Sequence, residues 1–248
     1  MNRAFTLALV FLTRIPVPVR FTPQAEDWGR SVLYFPLVGL VIGATLVTLY
    51  AVLHQLLDSG VLAVLLLVVW TLATGGLHLD GLADAADAWI GGFGDREKTL
   101  TIMKDPRSGP IAIVVVVLVL LTKFAALQAV VEDDVWGALL WAPVLGRAGI
   151  LLMLITTPYV RPEGVATAHA EYLPRLACKR LLIIIGVLVL GWWTGQGLVL
   201  LVLLGVGFLA LRGLLLQRLG GATGDTLGAT CELTEAVALT IMVSLLLK

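Results

Sequence analysis

The chain has 248 residues, 59% hydrophobic and 14% charged, with 17 basic against 17 acidic residues and a mean hydropathy of +0.98. Soluble domains run to about 45–50% apolar and 25% charged, so the composition excludes an ordinary soluble domain and points to an integral membrane protein. Zero net charge offers no polybasic surface for nucleic acid, and Cys178 and Cys231 have no CxxC or zinc-type spacing, so free thiols are expected.

In chain order, residues 1–15 carry a basic start at Arg3 and a short apolar stretch, but Arg14, Pro16 and Pro18 follow without a small-residue cleavage pattern. A retained interfacial or re-entrant helix is expected rather than a signal peptide. Apolar runs near the ~20 residues a bilayer requires fall at 32–57, 60–77, 109–131, 135–157, 181–195, 197–211 and 233–247, with a tight turn expected at Gly195, Gln196 and Gly197. The fold class is therefore all-α, a polytopic integral membrane bundle of about seven spans, with 1–248 as one domain.

The positive-inside rule gives this arrangement a direction. Segments on one side hold Arg3, Arg14, Arg20 and Arg30, then Arg96, Lys98, Lys104 and Arg107, then Arg161, Arg175, Lys179 and Arg180, then Arg212 and Arg218. The other side holds Lys248, together with Asp58 and the acidic run Glu132, Asp133, Asp134. The N-terminus is accordingly expected in the cytoplasm and function on the cytoplasmic face. Of the two cations inside spans, Lys123 is placed near enough to an end to snorkel, whereas Arg147 needs a partner that the sequence does not name.

Three clusters could carry chemistry. Asp80, Asp84 and Asp87 share one helical face, because offsets of four and seven at about 100° per residue keep all three within roughly 60°. Acids at membrane level are costly and usually bind an ion or substrate, and a stepped row of aspartates suits magnesium, which takes hard oxygen ligands and completes its shell with substrate phosphates. The plainer reading is a solvated acidic face, yet no basic residue interrupts it between Leu77 and Gly94. His78 beside it is a proton acceptor or phosphate ligand, or simply a helix-end histidine bonded to backbone.

The second cluster follows Gly220, Gly221 and Thr223, where Asp225 caps or begins the last helix and Glu232 and Glu235 lie on neighbouring parts of one face. These acids are expected at the cytoplasmic mouth, level with the first cluster, as further metal ligands or, for the two glutamates, catalytic groups; plain helix capping is the competing reading. A Gly-Gly pair precedes an aspartate by the same spacing in both clusters, at Gly75, Gly76, Asp80 and at Gly220, Gly221, Asp225. The third cluster runs from Lys104 through Arg107 to Pro110. Ser108 as N-cap, Pro110 in the first turn and two cations outline a phosphate site, or else a positive-inside anchor. Arg14 and Arg147 are further phosphate ligands. No P-loop, nucleophile elbow or GxGxxG after a strand is present.

Together the segments Phe11–Pro18, Phe35–Gly39, Gly75–Ala88, Met103–Gly109 and Gly224–Ala236 resemble the cobalamin synthase family, the adenosylcobinamide-GDP ribazoletransferases. The resemblance is spread over nearly the whole chain, and departs where the family usually has Ser and this chain has Pro106. It implies a membrane enzyme of the bacterial inner membrane whose substrates are adenosylcobinamide-GDP and alpha-ribazole or its 5'-phosphate, with release of GMP and with Mg2+ as cofactor. On that implication Asp80, Asp84 and Asp87 hold magnesium against the pyrophosphate. Asp225, Glu232 and Glu235 hold a second ion or accept the hydroxyl proton, with Asp84 also catalytic. His78, Lys104, Arg107, Arg14 and Arg147 bind phosphates or substrate. A homo-oligomer, or association with other enzymes of cobalamin assembly, is compatible with it. A CDP-alcohol phosphotransferase ranks second, since Asp84 and Ala85 stand where that family has Ala-Arg. A magnesium or metabolite transporter is disfavoured by the apolar outer halves of the spans.

Overall fold

Asn2 opens the first helix: its side-chain oxygen accepts the Ala4 N–H at 3.0 Å, capping α1 (Arg3–Leu12). The protein is described by a computed structural model covering residues 2–162 and 165–246. Leu7, Ala8 and Leu12 on α1 are buried against α2 (Ala25–Ser31) and α3 (Phe35–Leu53). A single 3-10 turn, Val32–Tyr34, joins those two helices, and Pro36 sits in the first turn of α3, where its missing N–H costs nothing.

Next come α4 (Ser59–Thr74) and α5 (Leu77–Gly91), bent from each other by 87°. The bend is made by Gly75 and Gly76 at φ 63° and 71°, a left-handed conformation that costs other residues roughly 1–2 kcal/mol each. The short α6 (Arg96–Ile102) leads to α7 (Pro110–Glu132) and α8 (Gly137–Thr156), close to the expected bounds. After α9 (Val165–Glu171) come α10 (Arg175–Leu219) and α11 (Gly224–Leu246).

α10 is two arms. Thr194 has φ 48° and ψ −121°, and a Cβ on Gly197 would lie 2.7 Å from the Val189 carbonyl oxygen; in a continuous helix residues eight apart are about 12 Å apart. The chain therefore doubles back, one residue before the turn expected at Gly195–Gly197. By length and composition five helices can cross a membrane, or six with α4 and α5 counted as one bent span; α10 is a single helix in that count, and the expected total of seven is not fixed by it. Lys248, the far-side cation, lies outside the described residues.

Burial sorts the helices. The apolar windows of α8 and α11 are 83% and 72% buried, against 28% for α7 and 11% for α10. Thus α8 and α11 form the interior. α7 and α10 turn Val114, Val117, Leu118, Ile183, Val187 and Leu203 outward, a face suited to lipid. α11 begins at Gly224, next to Asp225, which the sequence placed as the cap or start of the last helix; the apolar run from 233 is its later part. Cys178 and Cys231 are free and buried, as expected.

Candidate functional site

Two helix starts are pressed together at one end of the bundle. A Cβ on Gly81 of α5 would lie 2.9 Å from the Asp225 carbonyl oxygen, and one on Gly228 of α11 would lie 3.1 Å from the His78 carbonyl oxygen. Only glycine at both positions allows this backbone approach, which sets Asp80 and Asp84 beside Asp225. The matching Gly-Gly spacings in the two clusters have a shared conformational role, since Gly75 and Gly220 both adopt the left-handed conformation that ends a helix.

Asp80 is exposed and Asp84 half-buried, and the charges acting on Asp84 are those of Asp80, Asp225, Arg161 and Asp87. Arg161 stands 2.8 Å from Asp225, an ion pair whose direction leaves Asp225 Oδ2 and two guanidinium nitrogens without a hydrogen bond. Two backbone bonds carry Arg161 there: Val160 N–H donates to Ala222 O at 3.0 Å and Ala222 N–H to Pro158 O at 2.8 Å. They stitch the segment after α8 to the segment before α11. In the sequence Arg161 counted only as a topological cation, and nothing local marks it as Asp225's partner. Arg14 lies across the α4–α5 bend, its side chain filling the space over Gly75 while its N–H donates to Ala73 O at 2.8 Å.

Asp87 has a different role from the metal ligand expected. Its carboxylate accepts the Gly109 N–H and, at 2.9 Å, the Ala112 N–H. It thereby caps α7 from α5, where the sequence had suggested Ser108; the residue at the N-cap is Gly109. The helix start that was to receive a phosphate is thus occupied by a carboxylate of the protein itself. Lys104 and Arg107 are exposed on the α6–α7 segment, and Arg107 forms a fork with Asp105 at 2.8 and 3.0 Å, which holds the Asp105 carboxyl below its ordinary range.

Glu232, Glu235 and Arg147 also depart from expectation. Seven and ten residues beyond Asp225, the two glutamates lie about 10 and 15 Å deeper along α11 at 1.5 Å per residue, not level with Asp80. Lys123 bonds both, at 2.6 Å to Glu232 and 2.5 Å to Glu235, and its ammonium lies 4.6 Å from the centre of the Trp70 ring. Arg147 bonds Glu235. Lys123 does not snorkel: it is 3% exposed and Arg147 and Glu235 are at 0%, because two anions inside the bundle offer more than a distant interface. These residues form a buried ion cluster between α7, α8 and α11, separate from the acidic face at Asp80 and Asp225.

The acidic end opens into a cavity of ≈170 Å³ lined by Asp80, Asp225, His78, Phe11, Phe35 and His169, with aliphatic side chains between. His78 is buried and its Nδ1 has no hydrogen-bond partner, so it is not the backbone-bonded helix-end histidine. Among the described residues no three His, Cys, Asp or Glu side chains form a closed metal cage.

The chain's similarity to known proteins agrees with this architecture. The model of the cobalamin-5-phosphate synthase family matches residues 4–243. A protein named adenosylcobinamide-GDP ribazoletransferase from Pseudomonas fluorescens is 51% identical, over 95% of this chain and 96% of its own. One of the same name from Pseudomonas putida is 53% identical over 93% and 94%, and one from Stutzerimonas stutzeri 50% over 94% of each. No solved structure matches.

Proposed function

The chain belongs to the cobalamin-5-phosphate synthase family, and on that premise we propose that it is a transferase joining alpha-ribazole, or its 5'-phosphate, to adenosylcobinamide-GDP with release of GMP. We place the reaction at the cytoplasmic face of a bacterial inner membrane. The observation that supports this most is the close packing of α5 on α11 through Gly81 and Gly228, which gathers Asp80, Asp84 and Asp225 at one end of an apolar bundle beside Arg161 and Arg14.

In the reaction a ribose hydroxyl oxygen attacks the phosphorus that carries cobinamide. A new P–O bond forms, the bond from that phosphorus to the bridging oxygen of the diphosphate breaks, and GMP leaves with the bridging oxygen. The hydroxyl proton passes to a carboxylate of the acid face, for which Asp84, half-buried there, is one candidate. Such chemistry needs positioning and charge neutralisation more than a covalent nucleophile. Arg14, packed over the α4–α5 bend, and the exposed Lys104 of the α6–α7 segment are the cations assigned to the diphosphate charge.

Magnesium fits these donors. Its usual protein ligands are one or two carboxylates, the remainder being water and substrate phosphate. Asp80 and Asp84 would hold it, with Asp225, whose Oδ2 is ion-paired to Arg161, alongside; when bound it would neutralise charge on the diphosphate.

The test uses the full-length protein in lipid vesicles with adenosylcobinamide-GDP, alpha-ribazole and magnesium. GMP and a cobalamin product should appear in equal amounts. Failure to form the product in vesicles that retain folded protein overturns the assignment.

A further inference from the structure

The ≈170 Å³ cavity has two ends of opposite character. Asp80 and Asp225 form one. Phe11, Phe35 and His169 form the other: the imidazole stands edge-on to both phenyl rings, at 5.0 and 5.3 Å between centroids, and the two phenyl rings stack at 6.1 Å. Burial pushes the His169 pKa down to about 4, so this end carries no charge at neutral pH. Ser31 Oγ, 3.4 Å from its Nε2, fixes the ring.

We propose that this cavity is the nucleoside subsite, with the aromatic end taking the benzimidazole of alpha-ribazole and the acidic end receiving its ribose. The assignment rests on the transferase reading above and adds which part of which substrate sits where.

Size supports it first. A cavity of about 150 Å³ is known to accept a benzene ring, so ≈170 Å³ takes in one ring edge of a flat bicyclic base and excludes a corrin macrocycle. Polarity then separates the two bases that the reaction offers. Guanine presents several donors and acceptors along its edge, and each one buried without a partner costs roughly 1–3 kcal/mol. The aromatic end offers carbon faces and one neutral imidazole. A dimethylbenzimidazole has a single unsubstituted ring nitrogen and two methyl groups, and its demands are met by such a wall. Edge and face contacts between aromatic rings add about 0.5–1.5 kcal/mol per pair. Direction is the third support: Phe11, Phe35 and His169 pack on one another as one wall, and a base laid against that wall has its sugar on the side of Asp80 and Asp225, which line the same cavity. The guanosine moiety is then left to the open side, near Arg14 and Lys104.

The experiment fills the cavity from α9. Ala166 lines it, and Ala166→Trp in the full-length protein in vesicles should raise the KM for alpha-ribazole at least tenfold while the KM for adenosylcobinamide-GDP stays within twofold. Equal rises in both, or a rise confined to adenosylcobinamide-GDP, overturn the subsite. Should the variant fail to fold, inhibition of the unaltered protein decides: 5,6-dimethylbenzimidazole should compete with alpha-ribazole and not with adenosylcobinamide-GDP, and guanosine should do the reverse. Guanosine competing with alpha-ribazole overturns the proposal. Equilibrium dialysis of radiolabelled alpha-ribazole gives a readout without turnover. Binding to the unaltered protein that free dimethylbenzimidazole displaces supports the subsite even if no GMP is released, so the subsite and the transferase reading can fail separately.

Discussion

Replacing Glu235 by Gln separates structure from catalysis at the buried ion cluster. Two cations, Lys123 and Arg147, face two carboxylates, Glu232 and Glu235, so the cluster is neutral. Glu235→Gln keeps the volume and removes one negative charge. Lys123 still has Glu232, but Arg147, fully buried, loses its sole carboxylate partner among the described residues. Breaking a buried pair in this way costs about 3–5 kcal/mol, because the surviving charge is left uncompensated. At roughly 2–4 °C per kcal/mol for a chain of this size, thermal unfolding in detergent, followed by size-exclusion fluorescence, should shift down by at least about 6 °C. Adding Arg147→Gln removes the stranded charge and should recover part of the loss, giving a favourable coupling in the double-mutant cycle. An unfolding temperature within about 2 °C of the parent, combined with abolished turnover, would refute the structural assignment and restore Glu235 as a catalytic residue.

Asp84 and Asp87 of α5 should behave differently from each other. Asp84→Asn removes charge from the reacting face, a loss of several kcal/mol of transition-state stabilisation, so kcat should fall by about three orders of magnitude at 1.36 kcal/mol each, with unchanged unfolding. Asp87→Asn weakens the cap on α7, costs about 1 kcal/mol of stability and should lower kcat less than tenfold; equal loss of activity in both variants would return Asp87 to the metal site. For His169 the folded-state pKa is pushed down to about 4 from 6.5 by burial. The unfolded chain therefore binds a proton first, and stability present above pH 6.5 should decline between pH 6.5 and 4 by about 3 kcal/mol. Chemical denaturation across that range checks it, and the decline should be smaller in His169→Gln. At the helix bend, Gly75→Ala places a Cβ in left-handed backbone and against Arg14; it should cost at least about 1–2 kcal/mol and raise the KM for adenosylcobinamide-GDP through displacement of Arg14, with both effects read in one preparation.

Much of the fold was legible because hydropathy and helix punctuation are local. The spans at 109–131 and 135–157 came out within a few residues, and Pro110 took the first turn of its helix. The acidic face was legible for the same reason, since Asp80 and Asp84 are one helical turn apart. Hydropathy marked only the apolar part of α11 from 233, while its start at Gly224 was legible from Asp225 as a helix-start residue. Hydropathy could not place Lys123: a lysine nine residues from a helix end looks able to reach water, and its inward course depends on two glutamates more than a hundred residues away.

What the sequence by itself determined is the membrane class, the family and the presence of three acids on one face, all properties of neighbouring residues or of an ordered set of segments. Only the tertiary structure decided which charges pair with one another inside the fold. Asp87 caps α7, Glu232 and Glu235 neutralise Lys123 and Arg147, and Asp225 meets Arg161, each by contact between segments that are separated in the chain. Coulomb attraction and hydrogen bonding depend on separation in space, and in an apolar bundle an ion takes the nearest partner the packing supplies.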